Sequence, residues 1–175
     1  MISKKLETAI NEQIKLEEQS ARVYMAMASW CEVNGLPGAA KFLYTHSDEE
    51  RLHMLKFIHF LNDRGGYSNL QALEMPKADF SSLADLFNSI LHHEEYVTKK
   101  INELVDICLT DKDHTTNSFL QWFVTEQIEE ESTVKEIVDK IKLLGEAHGG
   151  YFHVDMYLAV LAATAAASMA AAKKV

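Results

Sequence analysis

Between Ala39 and Asp63 the chain reads AAKFLYTHSDEERLHMLKFIHFLND. Stepping alternately by four and three residues from Ala39 marks Leu43, His46, Glu50, His53, Phe57 and Phe60. That spacing keeps to one face of an α-helix, so it predicts a helix from about Ala39 to Asp63 with an inward stripe that is apolar at both ends and polar in the middle. Gly65-Gly66 stops the pattern at one end, and the breaker cluster Asn34-Gly35-Leu36-Pro37-Gly38 separates it from what precedes it.

Working outward, the same rhythm recurs three times. Before the breakers, from near Ser3 to Glu32, the stripe is Ile10, Ile14, Glu17, Ala21, Tyr24, Ala28 and Cys31. A third stretch starts at Ser82, whose hydroxyl can cap a helix with Asp85 three residues on. It is striped at Leu83, Phe87, Ile90, Glu94, Val97, Ile101, Leu104 and Cys108. The fourth, about His114 to Leu144, is striped at Leu120, Phe123, Gln127, Glu130, Val134, Ile137, Ile141 and Leu144. Four helices of similar length with inward stripes make a four-helix bundle. The first two are joined by a short turn, as are the last two. Between the pairs lies the link from Arg64 to Ser81, long enough to run the length of the bundle and give a one-crossover topology. After Gly149-Gly150 the Ala-rich stretch from about Asp155 to Ala172 predicts a shorter fifth helix. The expected class is all-α, a single domain over 1–175 with its bundle at about 3–145 and its tail helix at about 155–172.

Composition narrows the function. The chain has 175 residues, with 17 Lys and Arg against 26 Asp and Glu, for a formal charge of −9. No run of basic residues offers a nucleic-acid footprint, and an acidic surface attracts cations. Met156 to Ala172 carries no charge, but its small residues suit close helix packing better than a lipid environment, so no membrane partner is expected. Cys31 and Cys108 stand far apart with no metal-binding spacing. The opening Met1-Ile2-Ser3-Lys4-Lys5-Leu6-Glu7 lacks the apolar core of a signal peptide, and the expected location is cytoplasmic.

What interrupts the stripes carries the chemistry. Glu17, Glu50, Glu94 and Glu130 each occupy the apolar seam near the midpoint of a helix. Equal helices packed side by side bring their midpoints into one layer, so four carboxylates converge in the core. His53 follows Glu50 by three residues and Gln127 precedes Glu130 by three, adding two donors at one-turn spacing. An uncompensated buried charge costs several kcal/mol, and the seam holds no Lys or Arg to neutralise these. Two divalent cations match four carboxylates, and oxygen-rich ligation with imidazole suits iron or manganese. Glu49, Glu126 and Glu129 flank the set and form either a solvated acidic face or a third metal position. His46, one turn before Glu50, reads as a core or rim histidine or else as an outer group supporting the ligands, His92 and His93 as surface or outer groups, and Met25, Met27 and Met54 as core fillers. Asp111 and Asp113 sit at a corner, as a solvated turn or the lining of an inlet.

On these residues, and on the stretches YMAMASWC (Tyr24 to Cys31), EERLH (Glu49 to His53) and FLQWFVTEQIEEE (Phe119 to Glu131), nearly the whole chain resembles the bacterial non-haem ferritins. The resemblance implies a first iron at Glu17, Glu50, His53 and Glu94, and a second at Glu94, Gln127, Glu130 and the shared Glu50. It implies an additional iron at Glu49, Glu126, Glu129 and Glu130. Tyr24 and Trp122 match neighbours of the centre that can donate electrons. It further implies a shell of twenty-four subunits that oxidises Fe(II) with dioxygen or hydrogen peroxide and stores ferric mineral, with the tail helix around a fourfold axis. Bacterioferritin has a second Glu-x-x-His and a haem-ligating Met. Here the corresponding residues are Gln127-x-x-Glu130 and Arg51, so haem is not expected. A di-iron oxidase or peroxidase without storage, and a passive metal-binding shell, are the rival readings.

Overall fold

The computed structural model describes residues 2–145 and 149–172, and every regular element among them is helical: α1 (Lys4–Val33), α2 (Pro37–Asp63), α3 (Leu83–Asp111), α4 (His114–Leu144) and α5 (Gly150–Ala172). Local chemistry sets most of the ends. Ser3 accepts the Leu6 N–H at the start of α1, Ser82 accepts the Asp85 N–H at the start of α3, and Asp113 accepts the Thr116 N–H at the start of α4. Gly145, at φ 64°, closes α4 in a conformation that L side chains resist.

Two boundaries differ from the sequence reading. α2 starts at Pro37 because a proline in the first turn forfeits no helical hydrogen bond. α5 starts at Gly150, five residues before the expected Asp155, because the apolar positions Val154, Leu158 and Ala162 form its buried stripe. In the bundle stripes, Leu61 and not Phe60 fills the core at the end of α2, while Leu144 is exposed. Of the three methionines read as core fillers, Met27 is buried and Met54 packs at the edge of the core, but Met25 is 53% exposed. Nothing is described for 146–148 or 173–175, so the link between α4 and α5 and the last residues fall outside the structure.

α1 packs against α2 and α3, α3 against α4, and α5 against α2 and α4. The crossing segment starts beside the first turn of α1, where the Ile2 N–H reaches the Arg64 carbonyl. It ends beside the last, where Phe80 packs edge-on against Trp30. Between those points α1 holds the link by its side chains. Asn11 bonds the Tyr67 carbonyl and the Asn69 N–H, and Gln19 bonds both the N–H and the carbonyl of Glu74. Fixed in this way, the link returns the chain to the top of the bundle, so α3 descends beside the ascending α1. The one-crossover topology follows.

The core is divided. One apolar cluster, with Tyr24, Phe42, Leu83, Phe87, Val134 and Leu158 among its members, lies at the α5 end. A second, built on Leu6, Ile10, Phe57, Leu61, Ile101 and Phe123, lies at the other. Between them runs a buried polar layer. Among the described residues no helix is long and apolar enough to cross a membrane.

Candidate metal centre

Each helix places its mid-length polar positions on the buried seam, and the bundle brings them to one level. Gln13, Glu17 and Ser20 come from α1, His46, Ser47, Glu50 and His53 from α2, Glu94 from α3, and Gln127 and Glu130 from α4. No Lys or Arg is buried among the described residues, so neither stands among the buried carboxylates to compensate them.

Two groups of ligand atoms emerge. In the first, one atom each from Glu17, Glu50 and His53 lies within 4.8 Å of the others. His53 Nδ1 stands 3.6 Å from Glu50 Oε2 and 3.9 Å from Glu17 Oε2. In the second, His46, Glu49 and Glu130 meet the same spacing, with His46 Nε2 3.7 Å from Glu130 Oε2. Glu50 Oε2 is buried and meets no hydrogen-bond donor, the one such side-chain atom among the described residues. A buried carboxylate oxygen without a donor is destabilising unless a proton or a cation reaches it.

Glu94 joins the layer differently. It accepts a 2.6 Å hydrogen bond from the Tyr24 hydroxyl and a 3.2 Å bond from the Gln127 amide. Gln127 also donates to the Thr98 hydroxyl, 3.2 Å away. The three helices α1, α3 and α4 are therefore tied through one carboxylate. Glu126 is partly buried, with Oε1 3.9 Å from His53 Nε2, whereas Glu129 faces solvent. Trp122 and Phe123 meet the His53 ring edge-on, with centroids 5.3 and 5.9 Å away, and Lys56 Nζ sits over the Trp122 ring.

Electrostatics follow from this enclosure. Burial first, and the Glu50 carboxylate second, hold the Glu17 carboxyl well above the ordinary range. Glu50 and Glu130 are raised in the same way, by burial and then by Glu94. Burial, then Glu94, lifts the Tyr24 hydroxyl well above its usual value, so it remains a hydrogen-bond donor. Without metal these carboxyls retain protons, and a divalent cation would displace them.

Sequence spacing underweighted three residues. Gln13, one turn before Glu17, donates a 2.7 Å hydrogen bond to Glu17 Oε1 and orients it, a role its i, i+4 spacing could have signalled. His46 is part of the layer and not of the rim. His93 is largely enclosed and pairs with the Ser20 hydroxyl at 2.7 Å, whereas His92 is exposed as expected. Asp113 caps α4 and is bridged by Arg64 at 3.0 Å, and Asp111 accepts from Ser3.

Comparison with known proteins agrees with this arrangement. Residues 7–144 match the family model described as a ferritin-like domain. The chain is 45% identical to a bacterial non-heme ferritin of Campylobacter jejuni over 158 residues, covering 90% of this chain and 95% of that one. It is 39% identical to the bacterial non-heme ferritin of Escherichia coli O157:H7 over 161 residues, covering 92% and 98%. An open pore ferritin from the archaeon Archaeoglobus fulgidus superposes with a TM-score of 0.89 at 38% identity, over 91% of this chain and 98% of that one. A bundle with a buried acidic waist, matched along nine-tenths of its length by such proteins, belongs to the ferritin family.

Proposed function

We propose that this chain, as one ferritin-like domain, stores iron and oxidises Fe(II) at a di-iron centre in the waist of each bundle. The observation that carries this reading is the buried layer of Glu17, Glu50, His53, Glu94, Gln127 and Glu130 with no cationic side chain in it and with Glu50 Oε2 unpaired. Glu17, Glu50 and His53 hold one Fe(II), Glu94, Gln127 and Glu130 hold the second, and Glu50 and Glu94 lie between them. Glu49, Glu126 and Glu129, with Glu130 shared, belong to a third iron position beside it.

In the reaction each Fe(II) loses one electron. Dioxygen taking both becomes peroxide, and peroxide taking both becomes water with protons from solvent. The carboxylates favour the ferric product because their charge stabilises the higher oxidation state, and the enclosed site keeps the two metals adjacent. The Tyr24 hydroxyl, held against Glu94, is placed to fix that carboxylate and to supply an electron when only one metal is oxidised. Ferric ions then leave for a mineral core.

Storage needs a shell. On α5 the stripe Phe152, Met156 and Val160 is exposed in the single chain, opposite the buried stripe Val154, Leu158 and Ala162. A second apolar face on a docked helix favours packing against copies of itself, as in a twenty-four-subunit cage around a fourfold axis. The formal charge of −9 per subunit would draw cations to such a shell. A cytoplasmic location accords with two buried, unpaired cysteines.

Iron-soaked crystals with anomalous scattering test the centre by counting metals per subunit and naming their ligands. In solution, His53→Ala is expected to slow Fe(II) oxidation. Unchanged kinetics would remove His53 from the centre, and a wild-type protein that oxidises Fe(II) no faster than buffer would sink the reading.

A further inference from the structure

We propose that Thr98 and Glu131 are positioning residues of the waist: together they hold the side-chain amide of Gln127 with its nitrogen against α3, so that its oxygen is the atom left for a cation. The inference deepens the reading of Gln127 as a ligand of the second iron and rests on it.

An amide has two ends of nearly the same shape. Its oxygen can bind a cation and its NH2 group cannot, so a buried glutamine serves as a ligand only when something chooses its orientation. Around Gln127 every partner is an acceptor. Nε2 lies 3.2 Å from Glu94 Oε2, 3.2 Å from the Thr98 hydroxyl oxygen and 3.4 Å from the Glu94 carbonyl oxygen. Among the described residues no hydrogen bond engages Gln127 Oε1.

The Thr98 hydroxyl is the partner whose role is set from outside the waist. It has one hydrogen, and it donates that hydrogen to Glu131 Oε1 at 2.5 Å. A carboxylate accepts and has none to give, so Thr98 keeps only lone pairs for Gln127, and only an NH2 group can meet them. Without Glu131 the same hydroxyl is free to donate to the amide oxygen. It is equally free to turn back to the Glu94 carbonyl one turn earlier in α3, a common habit of helical threonine. Thr98 follows Glu94 by four residues and Glu131 follows Gln127 by four, so each helix carries a waist residue and its support on one face. Thr98, Gln127 and Glu131 also line a groove of about 630 Å³ between α3 and α4, where water can reach the hydroxyl. A charged acceptor on its hydrogen keeps it from turning.

Glu94 orients the amide too, but Glu94 is itself a ligand in the proposed centre. A cation that draws Glu94 Oε2 weakens its hold on Gln127, leaving the long contact to the Glu94 carbonyl and the bond to Thr98. Thr98 and Glu131 bind no iron in that centre, so their hold is the same with and without it. An amide turned the other way would set its NH2 group toward the cation. The second position would then lose a ligand, while Glu17, Glu50 and His53 would keep theirs.

The test titrates the metal-free assembled protein with Co(II) alone, without iron or oxygen, and follows the Co(II) absorption bands. Thr98→Val keeps the shape of the side chain and removes the hydroxyl. Expected is a weakening of one bound Co(II) per subunit by about tenfold or more, with the Glu17–Glu50–His53 ion retained. Thr98→Ser should restore binding, because it keeps the hydroxyl. A packing role predicts the reverse order, since valine keeps the methyl group that serine loses. Glu131→Ala should weaken the same ion, and it carries the test if the valine variant does not assemble. Gln127→Ala is the reference: it should weaken that ion, and adding Thr98→Val to it should cost nothing more. Wild-type affinity in Thr98→Val or in Glu131→Ala, or a serine variant as weak as the valine one, overturns the proposal while the ligand role of Gln127 stands. Unchanged binding in Gln127→Ala would sink that role and this proposal together.

Discussion

At the end of the bundle farthest from α5, Phe57 stacks on Phe123 with ring centroids 4.1 Å apart, and Phe119 meets both edge-on. Two turns back along the same face of α2, Glu50 is also buried, but its Oε2 meets no donor. Both positions obey the same 4,3 rhythm, and one helix presents both. Phe57 contributes to stability through area removed from water and close ring contact. Glu50 lowers it in the metal-free chain, because its carboxyl keeps a proton it would shed in water. The apolar ends therefore hold the bundle together against a waist that resists burial, and the waist is kept for what it binds.

That contrast can be broken most sharply at Glu50. Glu50→Leu should slow Fe(II) oxidation by about a hundredfold or more, since loss of a group that merely supports a ligand costs about 10–100-fold. Stopped-flow absorbance of the ferric product measures it, and a loss under about threefold would remove Glu50 from the centre. The same variant should raise the metal-free melting midpoint, as replacing buried charged groups by apolar ones can stabilise by about 1–4 kcal/mol. Phe57→Ala should do the reverse, costing about 3–5 kcal/mol by denaturant unfolding while metal binding at the waist persists.

The pH dependence sharpens the comparison further. Glu17, Glu50 and Glu130 have carboxyls raised above the ordinary value of 4.5 in the folded chain. Folded chains thus hold more protons than unfolded ones above that value. The contribution of these groups to stability is complete below about pH 4.5 and is lost as the pH rises through the raised values. The advantage of Glu50→Leu over wild type in melting midpoint should accordingly grow between about pH 5 and about pH 8, and Zn(II) should cancel it. A difference that stays flat with pH would show that Glu50 is not buried as described. The smallest effect is expected at Tyr24→Phe, which removes the hydrogen bond to Glu94 and should cost about 0.5–1.5 kcal/mol. Its metal stoichiometry should be unchanged by dialysis.

Much of this was legible in the sequence because the seam has few exceptions, and each exception was a polar residue at mid-helix. Glu17, Glu50, Glu94 and Glu130 could be placed at one level from helix lengths alone. The link from Arg64 to Ser81 fixed the topology by its length. His46 was only half legible: one turn before Glu50 it could be read as an outer group of the centre, but a lone histidine on an apolar face carries little signal until Glu130 is seen beside it. Gln13 and Ser20 were hidden for a similar reason: their partners, Glu17 and His93, turn to them in place of water only once burial excludes it. The true start of α5 was obscured because Gly149-Gly150 reads as a terminator of what precedes it.

The first turn of α2 has no capping side chain of its own, because Leu36 precedes it. Instead the Ala39 N–H bonds to Asp155 Oδ1 at 2.8 Å. At Gly38 even a methyl group would collide with the Asp155 carbonyl. A helix near the front of the chain is thus completed by a residue near its back. During synthesis on the ribosome, α2 emerges long before Asp155 does, and its leading turn stays uncapped by about 1 kcal/mol until the tail arrives. The order in which the chain is made therefore leaves the last helix to lock one of the first.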